Sequence, residues 1–247
     1  MIVFSVGLQK SGSGLFFNLT NDLLIAAGKE DVRDIKSKFN LEDILKYYNC
    51  NIVDLSDNNL NYLLSIHDTG NTFVVKTHNG PTKFLEMLMN KGIVKVTCIY
   101  RDPRDVVLSA MDHGRKIISK GETHTFASCS SIETTIPIVK SWLDNNIMKW
   151  IELDSSNLMI VKYEDLIAGP MDELKKLAGF LDIKLNNIDL ETIYSRYASD
   201  QLDEFQKNYL HFHVGEAGRF RSALQGKDLK ICNHHLSKYL EKMGYDV

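Results

Sequence analysis

The run from Ile2 to Ala27 constrains the rest of the chain more than any other stretch. It joins a continuous β-forming segment, IVFSV, to a loop with Gly7, Gly12 and Gly14 around Lys10. A helical stripe follows, made by residues 15, 16, 19, 23, 24 and 27 and closed by Gly28. Strand, glycine loop and helix form the repeating unit of a parallel sheet covered by helices, and the chain goes on alternating in this way. Phe73 to Lys76 reads as a second short strand, before a helix that Pro81 starts and Gly92 ends. Ile93 to Tyr100 is a third, turning into a helix through RDPRDVVLSAM. Leu158 to Val161 is a fourth, and the helix behind it carries Leu174, Leu177, Ala178 and Leu181 on one stripe. The expectation is an α/β fold in which a central, mostly parallel β-sheet is flanked by helices, as one domain over residues 1–247. Residues 29–70 and 112–135 are polar and less periodic, and read as insertions or lids. No internal repeat and no low-complexity tract interrupts the pattern.

In such a sheet, ligands gather at the carboxyl ends of the strands, where strand-to-helix loops expose backbone N–H groups. The loop GLQKSGSG lets the backbone approach an anion closely, the helix behind it offers its positive end, and Lys10 adds a mobile full charge. A glycine-rich turn with a solvated lysine would look the same in isolation. The loop is no Walker A motif, because Ser13 follows Gly12 where that motif needs lysine. The formal net charge of -3 and pI near 6.2 provide no basic field to hold nucleic acid or an anionic membrane, so an anion site has to be local.

Two further segments point to the same chemistry. In CIYRDPRDVVLS, Arg101 ends a strand, Asp102 is placed as an N-cap and Pro103 takes the first helical position. Ser109 then lies on the order of 9 Å along the helix from Pro103. Arg101 can face an anion as a fork of donors, with Ser109 as a hydroxyl donor on its other side. Asp102 and Asp105 are accounted for by the helix start alone. In FVVKTHNGP, strand alternation puts Lys76 and His78 on one side of the strand's carboxyl end if the extended geometry continues through Thr77. A histidine there is a candidate general base, since the unperturbed imidazole pKa lies close to neutral pH.

Cys50, Cys98, Cys129 and Cys232 are scattered, without a CxxC pair or a histidine at zinc spacing, which fits reduced thiols in the cytoplasm and no structural metal. Met1 to Val6 carries no basic leader and reads as a strand rather than a signal peptide. No apolar run reaches the roughly 20 residues that span a bilayer.

Taken in order, these pieces resemble the sulfotransferases that use 3′-phosphoadenosine 5′-phosphosulfate (PAPS). QKSGSG is similar to the family's P-K-S-G-T-T loop, KTH to the segment of its small-molecule members, YRDPRDVVLS to Y-R-N-P-R/K-D-V-x-x-S and KYEDL to L-x-Y-E-D-L. VGEAGRFRSAL is a weaker echo of the late R-K-G-x-x-G-D-W-K loop. The resemblance implies a P-loop-like fold without a metal, in which Lys10, Ser11, Gly12, Ser13 and Gly14 bind the 5′-phosphosulfate. It implies that Arg101 and Ser109 bind the 3′-phosphate, that Tyr163 lies close to the nucleotide, and that Lys10, Lys76 and His78 form the catalytic centre. The acceptor it implies is a small molecule with a hydroxyl or amine, and the other product is adenosine 3′,5′-bisphosphate (PAP).

The chain departs from the family pattern at Gln9 for proline, Gly14 for threonine and Leu15 for tryptophan. His213, Val214 and Gly215 stand where Arg-Lys-Gly would be. Gly215 and Arg219, or Arg221 in place of the latter, are the candidates for completing the 3′-phosphate clamp. Two other readings stay open: a small-molecule or nucleotide kinase, and a nucleotide-binding protein of the same fold without turnover.

Overall fold

The computed structural model describes residues 1–197 and 216–247. β1 (Ile2–Gly7) is wholly buried and leads through residues 8–12 into α1 (Ser13–Ala26). α2 (Val32–Lys38), β2 (Leu45–Lys46), β3 (Asn51–Ile52) and α3 (Asp57–His67) precede β4 (Phe73–Thr77). α4 (Lys83–Asn90), β5 (Val94–Tyr100) and α5 (Pro103–Ser119) follow. A 3-10 turn at Thr125–Ser128 leads to α6 (Ile132–Trp142), and a π turn at Leu143–Ile147 leads to α7 (Met148–Ile151). Then come β6 (Leu158–Lys162), α8 (Tyr163–Ala168), α9 (Pro170–Phe180) and α10 (Asn187–Ser195). A short helix at Phe220–Ala223 and a long one at Gly226–Lys242 end the described chain.

The sheet order is β2-β3-β4-β1-β5-β6, parallel throughout except for the β2–β3 pair. β1 thus lies in the middle, with Val3, Phe4 and Val6 in one apolar cluster with Phe17, Leu19 and Leu23 of α1. Burying a side chain of this size stabilises the fold by about 1.5–3 kcal/mol, and the continuous apolar run of β1 reflects burial on both faces.

Residues 29–70, expected as an insertion or lid, instead supply two helices and two strands of the sheet, with Val32, Ile35, Leu60 and Leu63 buried in the core. Residues 112–135 likewise hold the end of α5 and the start of α6. The helix expected to start at Pro81 starts two residues later, at Lys83: Thr82 is its N-cap and accepts from the Leu85 N–H at 3.2 Å. Asp102 caps α5 as expected, accepting from the Arg104 N–H at 2.8 Å with Pro103 in the first turn.

The last helix is tied to the same turn. Arg104 is buried against Asp102 at 2.8 Å, donates to Asn233 Oδ1 at 3.0 Å and stacks over Phe220. Beyond that helix, the Tyr245 hydroxyl donates to Glu164 Oε2 at 2.7 Å while Glu164 Oε1 accepts from the Asp102 N–H at 3.1 Å. Among the described residues no helix is long and apolar enough to cross a membrane.

Candidate functional site

The carboxyl ends of β4, β1, β5 and β6 are adjacent, so the segments after residues 7, 77, 100 and 162 meet on one edge of the sheet. The loop after β1 is held by its own bonds: Ser11 donates its N–H and its hydroxyl to the Leu8 carbonyl, at 3.2 Å and 2.7 Å. Lys10 takes a positive φ of 68° and Gly12 one of 83°. Gly12 has a second reason to be glycine, because a Cβ there would stand 2.5 Å from Cδ2 and Cε2 of the Tyr163 ring. Tyr163, the first residue of α8, is therefore a lid on the turn into α1, and burial pushes its phenol up from the usual pKa. Over the same ring, 4.5 Å from its centroid, lies the Arg101 guanidinium.

Three cations meet here, Lys10 being coupled both to Arg101 and to Lys76. Burial is the main cause that pushes Lys10 down to about 8; Asp112 opposes the shift, and Lys116 and Arg101 reinforce it. Lys76 is pushed down to about 8 by burial first and by the Lys10 charge second. Two lysines held this way, with Arg101 beside Lys10, form a place where an anion recovers free energy spent on desolvation. Arg101 carries a further sign of this kind: its Nη2 donates to Asp105 Oδ2 at 3.0 Å and to the Glu216 carbonyl, whereas its buried Nε has no acceptor among the described residues. The donor set and the Gly12 cradle fit a polyanion such as PAPS.

His78 follows β4 directly, and its Nδ1 lies 2.5 Å from the Gly7 carbonyl. A carbonyl oxygen only accepts, so Nδ1 carries the proton and Nε2 is the basic nitrogen of the neutral ring. Thr77 and Asn79 brace this turn: Thr77 donates to the Ile52 carbonyl at 3.0 Å, and the Asn79 carbonyl accepts from Trp150 Nε1 at 2.8 Å. Beyond Lys10, Phe126 of the 3-10 turn stands 5.9 Å from Nζ, with His124 stacked on it and His113 and Trp142 edge-on. Ser109 lies on α5, six residues past Pro103. Arg219 is ion-paired with Asp112 at 2.5 Å, and Arg221 stacks over Phe220. Gly215, with His213 and Val214, lies outside the described residues.

The sequence did not reveal one feature. Strand register places Asn51, Lys76, Ser5 and Thr97 in a single row across β3, β4, β1 and β5. Asn51 Oδ1, Ser5 Oγ and Thr97 Oγ1 are buried without a hydrogen-bond partner among the described residues. Lys76 therefore rises from a polar strip in an otherwise apolar sheet. Only the register reveals this, since each residue alone is an ordinary interruption of an apolar run.

The chain is similar to known proteins. The family model described as "Sulfotransferase domain" matches residues 2–242. Luciferin sulfotransferase of Photinus pyralis is 29% identical over 174 residues, 66% of this chain and 46% of that protein. Human sulfotransferase 4A1 is 26% identical over 121 residues, 49% of this chain and 42% of that protein. The alignments thus span about half the length of these relatives. Mouse sulfotransferase SULT7A1 complexed with PAP matches 97% of this chain and 84% of its own, at a TM-score of 0.62 and 16% identity. Retinol dehydratase in complex with androsterone and PAP matches 100% and 82%, also at 0.62 and 16%. The likeness to these two structures is one of fold. With the family model covering nearly every residue from β1 to the end of the last helix, the chain belongs to the sulfotransferase domain family.

Proposed function

We propose that this chain transfers a sulfuryl group from PAPS to a hydroxyl or amine of a small-molecule acceptor. The observation that carries the reading is the pair of buried lysines, Lys10 and Lys76, both lowered to about 8, with Arg101 beside Lys10 and the His78 imidazole on the Gly7 carbonyl of the same loop. Residues Lys10, Ser11, Gly12, Ser13 and Gly14 would hold the 5′-phosphosulfate, Arg101 and Ser109 the 3′-phosphate, and Tyr163 the nucleoside side. Gly215 and Arg219 are proposed for the rest of the clamp, Arg219 by exchanging Asp112 for phosphate. PAPS supplies an activated sulfuryl group and a stable leaving phosphate.

Sulfuryl transfer resembles phosphoryl transfer in that charge spreads over peripheral oxygens, so positioning and electrostatics do most of the work. His78 takes the acceptor's proton at Nε2 as the acceptor atom forms its bond to sulfur and the bond from sulfur to the 5′-phosphate oxygen breaks. Lys10 and Lys76 hold the charge that develops on the leaving oxygen. No step calls for a metal. The ring cluster of His113, His124, Phe126 and Trp142 beside Lys10 supports an acceptor with an apolar, flat body. Four free, buried cysteines support a reducing compartment, the cytoplasm.

A thermal-shift titration with PAP beside 5′-AMP and Mg-ATP tests the donor site, because a ligand of the native state raises its stability with concentration. The expected result is stabilisation by PAP well beyond AMP, lost in Arg101→Ala. Stabilisation by Mg-ATP alone would favour a kinase, and none by any of the three would refute the donor site. PAP binding without sulfuryl transfer in an acceptor screen would favour a binding protein.

A further inference from the structure

We infer that Asp105 is a positioning residue for Arg101, and that it sets how strongly the site prefers a nucleotide with a 3′-phosphate over one without. The inference rests on the donor site proposed above and assigns its selectivity to a residue that does not itself touch the ligand. A carboxylate in the first turn of a helix usually serves that helix, by capping or by facing its dipole. In α5 the cap is already Asp102. Asp105 is 1% exposed and its oxygens are directed elsewhere. Oδ2 accepts from Arg101 Nη2 at 3.0 Å and from the Gly218 N–H at 2.7 Å, and Oδ1 accepts from the Phe220 N–H at 2.8 Å.

One carboxylate therefore joins the arginine after β5 to a segment more than a hundred residues later. The same segment returns a contact, since the Glu216 carbonyl accepts from Arg101 Nη2. Both hydrogens of that nitrogen are thereby used within the protein. The guanidinium is fixed in rotation, with Tyr163 on one face and the buried Nε lacking an acceptor among the described residues. An arginine pinned in this way presents its remaining donors in one direction, which is what a geometry-dependent bond to a phosphate requires. Without the Asp105 charge the guanidinium would keep its own charge but lose its direction. The late segment, whose sequence lacks the Arg-Lys-Gly triplet, would then serve the site through its backbone bonds to Asp105.

The test is isothermal titration of the wild type, Asp105→Asn and Arg101→Ala with PAP and with 5′-AMP. Asp105→Asn keeps the shape and removes the charge. Its expected affinity for AMP stays within about threefold of wild type, while the PAP-to-AMP preference falls about tenfold or more, the scale of one charge-assisted hydrogen bond. A preference that survives in Asp105→Asn, or an equal loss of both ligands, overturns the role of Asp105. A wild type with no preference for PAP overturns the donor site itself. Should the variant not fold, amide exchange on the wild type decides. Slower exchange at Gly218 and Phe220 with PAP but not with AMP supports the inference, and equal protection by the two, or none, overturns it.

Discussion

Replacing Gly12 by alanine separates two costs that the structure assigns to one residue. The first is conformational: at φ 83° an L-residue other than glycine is strained by about 1–2 kcal/mol. The second is steric: the new Cβ would lie 2.5 Å from two atoms of the Tyr163 ring, and overpacking of that kind costs about 1–3 kcal/mol. Gly28 provides the control, because it has φ 76° but, among the described residues, nothing within 4 Å of its missing Cβ. Gly28→Ala should therefore show the first cost alone and Gly12→Ala the sum. For a chain of this length, about 1–3 kcal/mol of difference corresponds to roughly 2–12 °C in Tm. Thermal and urea unfolding of both variants, with Tyr163→Ala and Gly12→Ala/Tyr163→Ala to remove the clash, complete the cycle. Displacing Tyr163 also disturbs the Arg101 stack, so Gly12→Ala should weaken PAP binding where Gly28→Ala does not. Equal destabilisation by the two alanines would refute the packing of Tyr163 on the loop.

Other outcomes follow from the same site. Bound anion favours the charged ammonium, so PAP binding above pH 8 should draw in protons at Lys10 and Lys76, and affinity should fall as pH rises from about 8 to 10. Titration calorimetry in buffers of different ionisation heat measures the uptake, and Lys76→Met should remove part of it. In the ligand-free protein these lysines, lowered from 10.5, disfavour the fold at neutral pH, and this cost is relieved as pH rises past 8. Cys50 and Cys232, raised from 9.0 to about 11, act in the opposite sense at higher pH, so the difference between wild type and Lys76→Met is the quantity to follow in unfolding experiments. His78→Ala should lower kcat by roughly two to four orders of magnitude with PAP affinity nearly unchanged; unchanged turnover would remove His78 as the base. Asp102→Ala leaves buried Arg104 without its counter-ion, at about 3–5 kcal/mol, and should speed amide exchange in the helix Gly226–Lys242 through Asn233.

What the sequence made legible was the local grammar of strand, loop and helix. β1 with its glycine loop, β4 ending at KTH, and β5 running into a capped α5 all lie where the pattern puts them, because each signal sits within a few neighbouring residues. β2 and β3 were not legible: two residues each are too few to alternate, and their pairing is with partners brought by the fold. The same limit applies to Asp105, which in sequence reads only as a helix-start residue, while its bonds are to Gly218 and Phe220. It applies also to the row of Asn51, Lys76, Ser5 and Thr97, which exists only once four strands have fixed their register.

The order β4-β1-β5-β6 has a consequence for how the chain folds. Every pairing within it is parallel, so each forms only after an intervening segment has been looped out, and such non-local contacts slow folding. Pairing β4 on β1 brings Lys76 beside Lys10 and leaves two charges facing each other before Tyr163 and Glu216 have arrived from the second half of the chain. The growing site thus works against its own assembly at neutral pH, and an anion in the refolding buffer should speed the late steps by screening that repulsion.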